Sequence, residues 1–280
     1  MIRSPSKAVE RRRVVVMNKD GQKLVGVLHD AGSKELVIVC HGFRSWKERI
    51  PMTSIAAAIG DKGIGTFRFD FAGNGESEGS FQYGNYWREV EDLRAVIQHF
   101  REEELVVTAI VGHSKGGNVV LLYASKYKDV NTVVNISGRF DLTRGMEGRL
   151  GKDYLQRIKQ NGYIDVSNRE GKFQYRVTEE SLMDRLSTDT LASCLQINPD
   201  CRVLTIHGTK DKMVPVEDAS QFAKFIPNHK LHIIDGADHE FTTHQDELVY
   251  VLLEFLSEFF PSINSKSLPQ LDDRSSRSRI

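Results

Sequence analysis

Short apolar runs alternate with longer segments of helical period along most of the chain. The runs are rich in β-branched residues and predict strands at residues 36–40, 65–69, 106–111, 132–136, 203–206 and 231–234. Apolar residues recur at offsets of three and four in the longer segments and predict helices at residues 86–100, 115–127 and 245–260. Continuous apolar runs are typical of strands that are buried on both faces of a parallel sheet.

The first part of this alternation has a different form. Residues 14–16 and 23–28 flank the polar turn Asn18-Lys19-Asp20-Gly21, which predicts an antiparallel hairpin with a glycine-containing loop. The pattern as a whole predicts an α/β protein with a doubly wound, mostly parallel sheet that the chain enters through this hairpin.

The alternation stops between residues 139 and 194. This segment is polar, carries scattered aromatic residues, and shows helical patches but no buried strand. A segment of this length between two strands of one sheet favours an inserted cap over a structureless loop. We therefore expect one domain over residues 14–260, a cap at 139–194 within it, and flexible termini at 1–13 and 262–280.

Composition narrows the possible partners. Hydrophobic residues make up 40% of the 280 residues, and 38 basic residues balance 38 acidic ones. A nucleic-acid-binding surface usually needs an excess of basic residues, so we expect no nucleic-acid partner. No apolar run approaches the roughly 18 residues of a membrane span. The composition predicts neither a membrane span nor an oligomeric state.

The three cysteines, Cys40, Cys194 and Cys201, are odd in number and match no zinc-binding spacing. We expect no metal, no cofactor and no disulfide framework, and reduced thiols favour a cytoplasmic location. The basic start weakly resembles a plastid transit peptide. The final Ser278-Arg279-Ile280 weakly resembles the peroxisomal signal Ser-Lys-Leu.

A Gly-x-Ser-x-Gly motif lies between the predicted strand 106–111 and the predicted helix 115–127. In Gly112-His113-Ser114-Lys115-Gly116, glycines stand where side chains would collide around a sharp strand-to-helix turn. Such a turn lifts a serine hydroxyl above the sheet edge and places it at a helix N-terminus. Ser114 is therefore the predicted nucleophile.

A serine hydroxyl needs a base, and the base needs an acid that orients it. Asp211 and His239 each follow a predicted strand, in the order serine, acid, histidine. They are the predicted acid and base. Asp141, which also follows a strand, is the alternative acid, and eight other histidines compete less well because they lack this setting.

The reaction also needs two donors for the oxyanion. We expect the amide of Lys115, which follows the nucleophile, and the amide of Phe43, which follows an early strand in Cys40-His41-Gly42-Phe43. The side chain of Lys115 is expected in solvent, with binding of anionic substrates as the alternative. The glycine-rich block 67–79 lacks a phosphate-binding signature and predicts a turn whose hydrogen bonds are made by Asp70 and Ser77.

Together these blocks resemble the α/β-hydrolase superfamily, in its serine aminopeptidase and monoacylglycerol lipase-like branch and the small cinnamoyl (feruloyl) esterases. The matching segments are residues 41–43, 68–77, 112–117, 207–215 and 236–239. The resemblance implies an α/β-hydrolase fold, the triad Ser114, Asp211 and His239, and an oxyanion hole from Phe43 and Lys115. Lys115 differs from the Gln or Met of many relatives, and the cap matches no relative.

The resulting hypothesis is a serine carboxylesterase that acts on small-molecule esters of small or medium acyl groups through an acyl-enzyme. A serine aminopeptidase or thioesterase would use the same residues. A ligand receptor built on a hydrolase scaffold is the alternative outside enzymes.

Overall fold

The computed structural model describes residues 10–258, and the strands of its main sheet lie where the apolar runs predict them. The strands are β1 (Glu10–Met17), β2 (Lys23–Asp30), β3 (Glu35–Cys40), β4 (Gly65–Phe69), β5 (Val106–His113), β6 (Thr132–Ile136), β7 (Tyr163–Ser167), β8 (Phe173–Thr178), β9 (Arg202–Gly208) and β10 (His229–Ile234). The helices are α1 (Met52–Gly60), α2 (Tyr86–Glu102), α3 (Lys115–Tyr127), α4 (Glu147–Leu150), α5 (Tyr154–Asn161), α6 (Glu179–Ser187), α7 (Thr190–Gln196), α8 (Glu217–Phe225) and α9 (Gln245–Ser257).

Eight of these strands form one sheet in the order β1-β2-β4-β3-β5-β6-β9-β10. From β4 to β10 all neighbours are parallel, while β2 pairs antiparallel with both β1 and β4. The predicted doubly wound sheet with its N-terminal hairpin is confirmed. Because the central strands are parallel, the loops that follow β3, β5, β9 and β10 all leave from one edge of the sheet.

Helices cover both faces of the sheet, and strand β3 shows why its sequence is continuously apolar. Leu36, Ile38 and Cys40 point into the core on the face of α2 and α3, whereas Val37 and Val39 point into the core on the face of α1 and α9. Alternate residues from Leu36 to Cys40 therefore pack into the cores on opposite faces of the sheet, and none of these five positions is free to be polar.

The structure corrects the predicted start of the domain. β1 begins at Glu10 rather than at Val14, and Arg11, Arg12 and Arg13 pair in register with His29, Leu28 and Val27. The three arginines are exposed on this edge strand. The rest of the two termini predicted to be flexible, together with Ser278-Arg279-Ile280, lies outside the described residues.

The segment between β6 and β9 contains α4, α5, α6 and α7, and also a hairpin that the sequence pattern did not predict. β7 and β8 pair antiparallel, and Ile164, Tyr175 and Val177 bury one face of the hairpin in a small separate cluster. The expectation of helical patches without a strand was therefore incomplete. Cys194 of α7 packs in the main core and not in the small cluster of the hairpin. The boundary of the cap at residue 194 stays a prediction.

None of the helices within residues 10–258 is both long enough and apolar enough to span a membrane.

Candidate active site

Ser114 lies on a tight turn between β5 and α3. Its backbone has φ +56° and ψ −118°, a conformation that a non-glycine residue adopts only when its surroundings hold it there. The flanking glycines make this possible. A Cβ on Gly112 would lie 2.1 Å from the carbonyl oxygen of Gly116, and a Cβ on Gly116 would lie 2.5 Å from that of Cys40. The turn therefore requires glycine at both positions.

The structure brings Ser114, His239 and Asp211 together. The Ser114 Oγ lies 2.9 Å from His239 Nε2, and His239 Nδ1 lies 2.6 Å from Asp211 Oδ2. Because Nδ1 faces a carboxylate, it carries the ring proton, which leaves Nε2 free to accept the hydroxyl proton of Ser114. The other carboxylate oxygen of Asp211 accepts the amides of Met213, at 2.7 Å, and Val214, at 2.9 Å.

A second imidazole also contacts Asp211. His207 Nε2 lies 3.1 Å from Asp211 Oδ2 and 3.1 Å from the carbonyl oxygen of Val214. Burial by itself raises the pKa of Asp211, but the hydrogen bonds from His207, His239 and the Val214 amide outweigh it and hold the pKa well below its ordinary value. Asp211 is thus a permanently charged acceptor. The sequence placed His207 only as a locally bonded residue, and its proximity to Asp211 in sequence was the signal available.

The alternative acid, Asp141, lies elsewhere. One of its oxygens accepts the amide of Thr143 at 3.0 Å, and the other forms an ion pair of 3.0 Å with Arg144. No contact joins it to His239 within residues 10–258. Asp211 is therefore the carboxylate that the fold brings to the imidazole.

The two predicted oxyanion donors lie beside Ser114. Phe43 and Lys115 line the same cavity as Ser114 and His239. A Cβ on Gly42 would lie 2.9 Å from the Cβ of Ser114, so glycine is required for the loop after β3 to approach so closely. Neither the amide of Phe43 nor that of Lys115 donates a hydrogen bond to another described residue. Both remain available to a ligand.

Two buried histidines, neither of which has a role that the sequence predicts, hold the loops of the site. His41 Nε2 accepts the amide of Phe71 at 3.1 Å, so Nδ1 carries the proton and donates to the Gly42 carbonyl at 2.8 Å. His113 Nε2 donates to the carbonyl of His239 at 2.8 Å. Burial lowers the pKa of His41 to about 4 and that of His113 to about 3. Both imidazoles are neutral at pH 7.

The side chain of Lys115 does not lie where the sequence predicted it. Its side chain is not in solvent but 5% exposed, and its ammonium donates to Glu89 Oε1 at 2.6 Å and to the carbonyl of Gly84 at 2.5 Å. The ammonium also lies 5.0 Å from the ring centroid of Tyr86. The pair stabilises the start of α3 against α2.

The glycine-rich block after β4 is the turn that the sequence predicted. Asp70 accepts the amide of Lys47 at 2.7 Å and its ammonium at 2.6 Å, and Ser77 Oγ donates to the Asp70 carbonyl at 2.5 Å. A Cβ on Gly75, where φ is +51°, would lie 2.2 Å from the Asp70 carboxylate. The block is a structural loop whose hydrogen bonds are made within the protein.

His113, His239 and Glu240 are the one group within residues 10–258 whose ligand atoms lie close enough to share a metal ion. Both ring nitrogens of His239 already contact Asp211 and Ser114, and His113 Nε2 is bonded to a carbonyl. The donor set does not fit a metal without dismantling the arrangement around Ser114.

The buried neutral histidines predict how stability depends on pH. The pKa of an unfolded histidine is about 6.5, above the folded values, so the unfolded state takes up protons first and stability falls as the pH drops below about 6.5. Between pH 7 and pH 5, His113 alone should lower the free energy of unfolding by about 2 kcal/mol. The variant His113→Gln keeps a donor for the carbonyl of residue 239 but has no imidazole to protonate. We expect its free energy of unfolding to fall by about 2 kcal/mol less than that of the wild type between the two pH values. Denaturant unfolding at the two pH values measures this. His232→Gln, at a partly exposed position, is the control. If the free energy of unfolding of His113→Gln fell between pH 7 and pH 5 by as much as that of the wild type, the prediction would be wrong.

Comparison with known proteins assigns the chain to a family. A family model described as serine aminopeptidase, S33, matches residues 31–201. The chain belongs to this family of α/β hydrolases. Among curated relatives, the Saccharomyces cerevisiae protein YDL057W is 24% identical over 251 residues, which cover 83% of this chain and 75% of that protein. The putative esterase YitV of Bacillus subtilis is 27% identical over 227 residues, which cover 73% of this chain and 82% of YitV.

Solved structures agree on the fold of this S33-family chain. Est1E from Butyrivibrio proteoclasticus, determined with ferulic acid bound, superposes with a TM-score of 0.76 at 22% identity. The alignment covers 88% of this chain and 98% of Est1E. The α/β hydrolase GrgF from Penicillium sp. sh18 gives the same TM-score and identity, over 89% of this chain and 99% of GrgF. The predicted α/β-hydrolase fold and the resemblance to the S33 branch are confirmed.

Proposed function

We propose that this protein is a serine hydrolase that cleaves carboxylic esters through an acyl-enzyme. The observation that carries the proposal is the distance of 2.9 Å between Ser114 Oγ and His239 Nε2, with Asp211 bonded to the far side of the imidazole. A hydroxyl, a base and an orienting carboxylate in this order are what nucleophilic acyl transfer requires. This chemistry uses no metal and no cofactor.

In the proposed reaction, Ser114 Oγ attacks the ester carbonyl and His239 Nε2 takes the hydroxyl proton. The amides of Phe43 and Lys115 stabilise the oxyanion, each by on the order of 3 kcal/mol. Collapse breaks the bond to the alcohol, which leaves with the proton from His239. Water then attacks the acyl-serine by the same route, and the carboxylic acid and free Ser114 are regenerated.

The preference for small or medium acyl groups is part of the proposal. The cavity beside Ser114 has a volume of about 400 Å³, at the lower end of the range for small-molecule sites. Arginine side chains and the Phe43 and Tyr83 rings bound it. Long alkyl chains would have to pass the guanidinium groups, which favours shorter substrates.

A fluorophosphonate probe and a series of p-nitrophenyl esters test the proposal. The probe should label the wild-type protein but not Ser114→Ala, because it reacts only with an activated serine. Among p-nitrophenyl esters of increasing chain length, kcat/KM should be highest for acyl groups of about two to eight carbons and fall beyond them. Equal labelling of the two proteins would exclude the mechanism, and turnover of long-chain esters alone would exclude the size preference.

The residues that line the cavity support an ester hydrolase better than an aminopeptidase. An aminopeptidase must hold the ammonium group of its substrate, which usually requires a carboxylate near the nucleophile. The described residues that line the cavity include no Asp or Glu. Hydrolysis of amino-acid p-nitroanilides faster than of the esters would reverse this preference.

A cytoplasmic location completes the proposal. Cys40, Cys194 and Cys201 are free and buried, which suits a reducing compartment. Imaging of a fluorescent fusion of the whole chain would test it, with plastids and peroxisomes as the other outcomes.

A further inference from the structure

The cavity beside Ser114 is cationic. Three arginines line it, Arg139, Arg149 and Arg185, together with Lys212. Lys115 lines it as well, but its ammonium is already paired with Glu89. The lining within the described part of the chain thus carries several cations and no carboxylate of its own.

Arg185 shows that this charge is built into the fold. It reaches the cavity from α6 and is 9% exposed. Its guanidinium donates to the carbonyls of Leu142, at 2.9 Å, and Arg144, at 3.1 Å, and to the Tyr86 hydroxyl at 3.3 Å. All three acceptors are neutral. No carboxylate lies within 4.0 Å of the guanidinium among residues 10–258, so the buried charge has polar partners but no counter-ion.

Arg139 and Arg149 approach the same space from the segment after β6. Arg139 donates to the carbonyl of Met213, and the Cζ of Arg149 lies 5.0 Å from the ring centroid of Phe43, which follows the required Gly42. Neither guanidinium forms an ion pair with a described residue. Burial lowers the pKa of Arg139, and the nearby charge of Arg185 lowers it further. The charge of Asp218 partly compensates, but that carboxylate is bonded to the amide of Phe140.

Like charges that converge on one cavity repel each other, and a buried one such as that of Arg185 also loses favourable hydration. A folded protein keeps such an arrangement at a cost in stability, and an anion that enters the cavity offsets both terms. Guanidinium groups bind carboxylate and phosphate in particular, because two parallel N–H groups match two oxygens.

We propose that the substrate is an ester that carries an anionic group, a carboxylate or a phosphate, on the part that fills the cavity, and that Arg139, Arg149 and Arg185 bind this group. The proposal rests on the ester hydrolase function above and adds the class of substrate. It places the charge recognition on the three arginines rather than on Lys115, whose ammonium is neutralised by Glu89.

Matched ester pairs test the proposal. Mono-p-nitrophenyl adipate and p-nitrophenyl hexanoate have the same acyl length and leaving group and differ by a terminal carboxylate on the acyl side. The butyrate esters of 4-hydroxybenzoate and of phenol differ by a carboxylate on the alcohol side. We expect kcat/KM to favour the charged member of one pair by about tenfold or more, as charge-assisted hydrogen bonds to guanidinium predict. Competition of that reaction by adipate and by butyl phosphate then separates carboxylate from phosphate.

Variants connect the preference with the arginines. Arg149→Gln removes an exposed side chain with little risk to folding, and we expect it to lower the charge preference several-fold. Arg139→Gln should do the same, and the double variant should lose most of the preference. Arg144→Gln is the matched control, because Arg144 lies on the same segment but its side chain pairs with Asp141. Its preference should equal that of the wild type.

The possible outcomes separate the inference from the function on which it rests. Hydrolysis that persists in Ser114→Ala would overturn the proposed function. Hydrolysis that depends on Ser114 but favours the uncharged ester in both pairs, or is equal within each pair, would overturn the anionic substrate alone. A charge preference that survives in the double variant would also overturn the assignment to the arginines.

Discussion

Replacement of His239 by alanine should lower kcat for a p-nitrophenyl ester by about 10⁴- to 10⁶-fold. The imidazole is the proposed base and lies 2.9 Å from the Ser114 hydroxyl, and without a base the hydroxyl keeps its proton at neutral pH. His207 cannot replace it, because that imidazole is fully buried and its Nε2 is bonded to Asp211 and to the Val214 carbonyl. Steady-state kinetics with Ser114→Ala as the blank would measure the loss.

The control for this variant is His232→Gln, which removes a partly exposed imidazole from β10, and its kcat should stay within about twofold of the wild type, as for surface substitutions. The melting temperature should be compared for both proteins, so that a folding defect is not mistaken for lost chemistry. A His239→Ala variant that kept a tenth of the activity would show that another group deprotonates the serine.

Asp211→Asn should lower kcat by about 10³- to 10⁴-fold with little change in KM. The carboxylate accepts from both His239 and His207 and two backbone amides. An asparagine amide that turns its N–H₂ toward His239 would favour the ring tautomer with the proton on Nε2, which then no longer accepts from Ser114. The buried charge that would stabilise the imidazolium during the reaction is lost as well.

Asp141→Asn is the matched comparison, because Asp141 was the alternative acid in the sequence and lies at the surface beside Arg144. We expect its kcat within about twofold of the wild type. If Asp141→Asn and Asp211→Asn had similar effects, the proposed triad would be wrong even though its three side chains are in contact.

The elements that the sequence predicted best are those whose local pattern and punctuation agree. Helix α3 spans Lys115–Tyr127 as expected, because it begins at the glycine-rich turn and its residues are apolar enough to be buried on most sides. Strands β4 and β6 also have the expected bounds. The sequence showed that Asp211 and His239 each follow a strand-like run. Because parallel strands end at the same edge of a sheet, this was enough to predict that the two side chains lie close together.

What the sequence did not predict depends on contacts between distant segments. The hairpin of β7 and β8 is buried on one face only, against Tyr83 and Leu182, and its short strands give a weak alternating pattern. Lys115 was expected in solvent because its counter-ion, Glu89, is 26 residues away on another helix. The cationic cavity is hidden for a related reason: Arg185 of α6 meets Arg139 and Arg149 of the segment after β6 only when the chain folds, and none of the three stands out in the sequence.

The arginines of β1 have a consequence for how copies of this protein meet. An outermost strand offers unpaired backbone groups on which another chain could add a strand and begin a fibril. Here that strand carries Arg11, Arg12 and Arg13 in the solvent, with Arg12 3.4 Å from Glu103 and Arg13 3.9 Å from Glu76. An incoming strand would bring its own side chains against this row of like charges and strip their water. The arginines of β1 therefore discourage edge-to-edge aggregation at this rim of the sheet.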